Sequence, residues 1–89
     1  MNQILLSVRG QKATVHIHIV ELFTEEEVIH VWQYSVVVEL TEKKNRLISL
    51  YRRLSGQWLD NYRSTDEEMI NEIKSQIELQ DTSIDYSSL

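Results

Sequence analysis

Eighty-nine residues make one small domain, which buries only roughly 60–65% of the surface its unfolded chain exposes and so has a thin core. No cysteine is present, which excludes disulfides and thiolate metal clusters as supplements to that core. The net charge of −5 is uneven: residues 41–63 hold six of the nine Lys and Arg against Glu42 and Asp60, a local net of +4 that leaves −9 elsewhere. Such a dipole can orient a partner, but it is not the broad basic surface of a typical nucleic-acid binder.

Residues 4–9 and 13–22 are β-branched and alternate, with Ile4, Leu6 and Val8 on one face of the first segment and Val15, Ile17 and Ile19 on one face of the second. A two-residue turn at Gly10-Gln11 with glycine first fits type II′ geometry. It sets Leu6 opposite Val15 and Ile4 opposite Ile17. The next stretch could start a helix at Thr24-Glu25-Glu26-Glu27, a capping-box pattern. However, Val28, Ile29, Val31, Val36, Val37 and Val38, with Trp32 and Tyr34, favour one long strand over 28–40. A four-residue loop at 24–27 then sets Phe23 opposite Val28, Ile19 opposite Trp32 and Val15 opposite Val36.

Residues 41–45 read as a polar turn and 46–54 as a fourth strand, with Ile48, Leu50 and Leu54 on the core face. Ser55-Gly56 turns the chain into a short fifth strand at 57–62. A plain two-residue turn there sends Trp58 outward, whereas a glycine bulge after a type I turn sends it to the core. From Ser64 the period changes. Capping side chains and first-turn acids at 64–68 precede Met69, Ile70, Ile73 and Ile77, one apolar stripe on a helix over 66–80.

The expected fold class is therefore α+β: a five-stranded antiparallel β-meander (βββββα) with one C-terminal helix packed on one sheet face. Residues 1–81 form the domain, and 82–89 have few anchors and are expected to fray. Residues 1–10 lack a secretory pattern and no segment is apolar for the length of a bilayer, so a cytoplasmic protein is expected.

His16-Ile17-His18 is the most chemical-looking feature, since residues two apart on a strand point the same way. The pair could hold a metal ion, with His30 as a third ligand, or serve a metal-dependent enzyme. The proposed register opposes this, because His30 then faces the other side of the sheet across from Glu21. No cofactor and no catalytic set is therefore assigned. Glu25, Glu26 and Glu27 lack the spaced ligands of a calcium loop and read as a solvated turn. Tyr51, Arg52, Arg53, Trp58 and Tyr62 interleave cations with aromatics as single-strand nucleic-acid surfaces do, although overall acidity opposes phosphate binding.

The outer sheet face carries the strongest functional expectation. It would display Val20, Leu22, Ile29, Val31, Val37, Leu47 and Tyr51, with Leu5, and one helix cannot cover both faces. Soluble monomers rarely leave a large apolar patch in water. A non-enzymatic protein-interaction module is expected, its partner a second copy of itself in a homodimer. A charge at Val31 is expected to break that assembly and leave the subunit folded. Purified protein should carry no stoichiometric zinc, and His16→Ala should leave stability nearly unchanged; metal analysis and thermal melting check both.

Overall fold

The alternating segments pair in chain order. In the computed structural model, which describes residues 3–41, 44–59 and 66–88, β1 (Gln3–Val8), β2 (Gln11–Phe23), β3 (Val28–Thr41), β4 (Lys44–Arg53) and β5 (Trp58–Leu59) form one antiparallel sheet, β1-β2-β3-β4-β5. One helix, α1 (Glu67–Gln80), follows, and the 3-10 turns Asp81–Ser83 and Tyr86–Ser88 end the described chain. The fold is α+β. Of the predicted fifth strand, Trp58 and Leu59 are paired, and 60–62 lie outside the described residues.

The β2–β3 register is the predicted one: Phe23 opposes Val28, Ile19 opposes Trp32 and Val15 opposes Val36. The first hairpin differs. Val8 pairs with Gln11, so Arg9-Gly10 is the two-residue loop and Leu6 opposes Ala13 rather than Val15. Arg9 and Gly10 both have positive φ, 51° and 76°, the pattern of a type I′ turn, whose twist matches that of the strands it joins. Arg9 tolerates this rare backbone because it is tied down: its guanidinium makes two bonds to Asp66, at 2.6 and 2.8 Å. The slip is two residues, an even number, so every side chain keeps its face.

The second glycine settles Trp58. Gly56 N–H donates to Arg53 O, Arg53 N–H donates to Gln57 O, and Gly56 has φ 104°, which is a type I turn with a glycine bulge. Trp58 therefore opposes Arg52 on the helix side. Leu54, predicted for the core, sits in this turn and is exposed. The predicted turn at 41–45 is also shorter, because Asn45 pairs with Glu39 and Lys44 with Thr41.

The helix stripe closes the core. Met69, Ile70, Ile73 and Ile77 pack with Leu6, Val8, Ala13, Val15, Ile17, Tyr34, Val36, Val38, Ile48 and Leu50. Asp66 caps α1 by accepting from Met69 N–H. That bond, with the Arg9 pair, holds the carboxyl below its ordinary range.

One side of α1 also seals the outer edge of β1. Glu72 accepts from Arg9 N–H, Gln76 bonds both the N–H and the C=O of Ser7, and Gln80 donates to Leu5 O. The spacing explains the match. Four residues of helix rise about 6 Å and two of strand about 6.8 Å, so side chains at i, i+4 and i+8 meet alternate strand residues. An edge that could recruit a foreign strand is thereby occupied.

Of residues 82–89, expected to have few anchors, two within the described part, 82–88, make contact with the core. Ile84 and Tyr86 pack against the core, with the Tyr86 ring 4.8 Å from Trp32.

Ile73 is fully buried and Leu79, on the opposite side of α1, is 80% exposed. Ile73→Lys should abolish cooperative unfolding by placing an unpaired charge in the core, whereas Leu79→Lys should leave it intact; circular dichroism melts distinguish the two.

Candidate interaction surfaces

Strand lengths decide what is left uncovered. β1 pairs with β2 as far as His16, and β4 pairs with β3 as far as Val31. Among the described residues, the β2–β3 hairpin therefore runs on alone from Glu21 to Phe23 and back from Val28 to His30. This arm is closed by a rigid tip: Thr24 N–H and Oγ1 both donate to Glu27 O, and Thr24 Oγ1 accepts from Glu26 N–H and Glu27 N–H. Glu25, Glu26 and Glu27 are exposed there and make no ion pair among the described residues.

Both faces of the arm are apolar. On the helix side Phe23 is 78% exposed, beside Val28 and Ile19, which are also exposed. Glu21 and His30 lie between these apolar pairs, 3.3 Å apart. On the outer side Val20, Leu22 and Ile29 are half-buried. Sequence reasoning selected this outer set and missed Phe23 and Val28, which it assigned to the core face. That assignment is right, but α1 does not reach so far.

The outer face is not the continuous patch expected. Leu5, Thr14, Val37 and Leu47 form one row in register across four strands, with Leu47 76% exposed. Toward the arm come two polar rows, Gln3-His16-Ser35-Ser49 and His18-Gln33-Tyr51, the latter tied by a Gln33 Nε2–Tyr51 hydroxyl bond of 3.2 Å. Val31, expected at the exposed centre, is 0% exposed. It is flanked in register by Val20 and Arg53 and lies outside the main core cluster. A charge at Val31 would therefore be desolvated in the free subunit and would damage its fold, which corrects the sequence-based expectation.

His16 and His18 are exposed on the outer face, while His30 is on the helix side with Glu21. The structure does not bring the three imidazoles together. It also divides the aromatic and cationic set of the last hairpin. Tyr51 and Arg53 belong to the outer face, Arg52 and Trp58 to the helix side, and Tyr62 lies outside the described residues.

At the root of the arm, on the helix side, is a cavity of about 370 Å³ lined by Trp32, Arg52, Arg53, Leu54 and Tyr86 among others. One polar chain holds its floor. Arg52 Nη1 donates to both carboxylate oxygens of Asp81, at 3.0 and 2.9 Å, and Arg52 Nε to Gly56 O. The Tyr86 hydroxyl donates to Asp81 Oδ1 at 2.7 Å. With its one proton spent there, it accepts from Tyr34, whose hydroxyl is 2.9 Å away. Burial and then the bonds to Asp81 and Tyr34 push the Tyr86 hydroxyl far above its ordinary pKa. Burial lowers that of Arg52, but its bonds to Tyr34 and Asp81 outweigh this and raise it. Both groups stay in their neutral-pH forms. The floor is also braced from the side, with Arg52 over the Trp58 ring at 4.8 Å and Trp58 Nε1 donating to Glu78.

Comparison with family models, curated proteins and solved structures finds no match to this chain. Among the described residues no helix is long and apolar enough to cross a membrane.

Tyr86→Phe should cost about 1–3 kcal/mol, because it removes the Asp81 bond and leaves the Tyr34 hydroxyl without its acceptor. Chemical denaturation measures the loss, which should be accompanied by a changed Trp32 fluorescence.

Proposed function

We propose that this protein is a non-enzymatic interaction module that associates with copies of itself through the apolar surface of its sheet, the β2–β3 arm above all. The observation that carries the reading is the arm itself: a rigid two-stranded projection with apolar side chains on both faces. Isolated apolar residues on a surface are ordinary, but a contiguous set on a projecting element marks a contact site. Phe23, Val28 and Ile19 on one side, and Val20, Leu22 and Ile29 on the other, form such a set.

An isolated two-stranded ribbon is marginal in water, so an arm with a fixed tip and apolar faces gains by packing against a partner. The Leu5–Val37–Leu47 row offers a second, smaller contact on the outer face. A protein partner, a second copy of the chain, goes with a cytoplasmic setting, the one expected from the sequence. No observation favours a catalytic role or a bound cofactor.

Sedimentation equilibrium of the purified chain should give a mass above the 10.6 kDa of one copy, rising with concentration. A mass that stays at one copy up to the highest concentration the protein tolerates would overturn the reading.

A further inference from the structure

The helix-side face of the arm has a symmetric pattern. Along it come an apolar level (Phe23 and Val28), a charged level (Glu21 and His30), and an aromatic–apolar level (Ile19 and Trp32). Successive levels are two residues apart, so the charged level is about 7 Å from each of the others. Turning a second copy about a two-fold axis through the charged level would lay its tip on the first copy's root. The Glu21–His30 pairs of both copies would then meet at the axis. A surface that maps onto itself in this way is what an isologous contact requires.

The root has both a receptacle and a matching charge. Its cavity of about 370 Å³ falls within the roughly 300–1,000 Å³ of ordinary binding clefts, and it has Trp32 and Tyr86 as an aromatic wall and exposed Leu54 at its rim. Arg53 alternates to the outer face, but as the last residue of β4 it also lines the rim of the cavity where the sheet ends; it is exposed and makes no ion pair among the described residues. The tip offers the complement: exposed Phe23 as an apolar plug, followed by the three carboxylates of Glu25, Glu26 and Glu27.

We infer that the cavity at the root of the arm receives Phe23 from the arm tip of a second copy, with Arg53 facing that copy's acidic loop, and that the exchange is reciprocal. The inference rests on the self-association proposed above and names its partner surfaces. Phe23 supplies the apolar anchor, as large aromatic side chains commonly do at contacts. The charges set the direction of approach and act mainly on the rate of encounter.

Sedimentation equilibrium of the full chain and three variants tests it. Phe23→Asp changes an exposed side chain and should stay folded by circular dichroism while raising the dimer dissociation constant about tenfold or more. Arg53→Glu should weaken the dimer, and adding Glu25→Lys, Glu26→Lys and Glu27→Lys to the same chain should restore it. Leu47→Lys, in the smaller outer-face contact, should weaken the dimer far less than Phe23→Asp.

Because the chain has no cysteine, a separate test mixes Glu25→Cys protein with Leu54→Cys protein; oxidation should give a disulfide-linked pair containing one of each. An assembly that survives Phe23→Asp but dissociates with Leu47→Lys would overturn the inference and leave self-association standing. A wild-type chain that never associates would overturn both.

Discussion

One helix has to cover a sheet much longer than itself, and most of the structure follows from that mismatch. The fourteen residues of α1 extend about 21 Å, whereas the thirteen of β2 extend about 43 Å. The four buried side chains of α1 can therefore complete a core over only one half of the long hairpin. Over that half the inward side chains of Leu6, Val8, Ala13, Val15, Ile17, Tyr34, Val36, Val38, Ile48 and Leu50 are buried. Beyond it, residues of the same alternating pattern stay in water. Phe23 and Ile17 share a face, yet one is 78% exposed and the other fully buried.

The two sheet margins are treated differently, and the difference has a physical origin in α1. Its Glu72, Gln76 and Gln80 side occupies the free backbone groups of β1, which removes that strand as a template for pairing. The same side chains cannot protect the arm, which lies past the end of β1. The Arg9–Asp66 pair joins the two halves of this device, since it ties the turn at the start of the blocked edge to the capping residue of the blocking helix. The surface left open is thus at one end of the molecule.

The parts of this that were legible in the sequence are those governed by local period. Alternation over 13–22 and 28–40 fixed both faces, and the four-residue Thr24–Glu27 loop fixed their register. The change to a stripe at Met69, Ile70, Ile73 and Ile77 located the helix. In the first hairpin, Gly10 allows either turn, and both keep the alternation. What selects the observed one is a partner for Arg9 found 57 residues away at Asp66. Gly56 left two placements for Trp58, and only the pairing of Arg52 with Trp58 distinguishes them. Val31 and Leu22 look alike in an alternating string. Their different exposure depends on neighbours across two strands. The docking of Tyr86 had no local signal at all, since its partners Trp32 and Tyr34 lie more than fifty residues upstream.

That docking is also what makes the root of the arm a defined surface. Without Tyr86, Trp32 would lose the ring packed on it and Asp81 one of its donors, leaving the cavity without a wall. The arm and the C-terminal turn are remote in sequence, yet the tail shapes the receptacle while the hairpin supplies the plug. The polar chain Tyr34–Tyr86–Asp81–Arg52 is fully satisfied within the subunit, so it offers rigidity rather than a free binding group. Arg53, one residue on, alternates to the other face of the strand and remains unpaired among the described residues. Alternation in β4 therefore separates a structural cation from an available one, at the point where the sheet ends and the cavity begins.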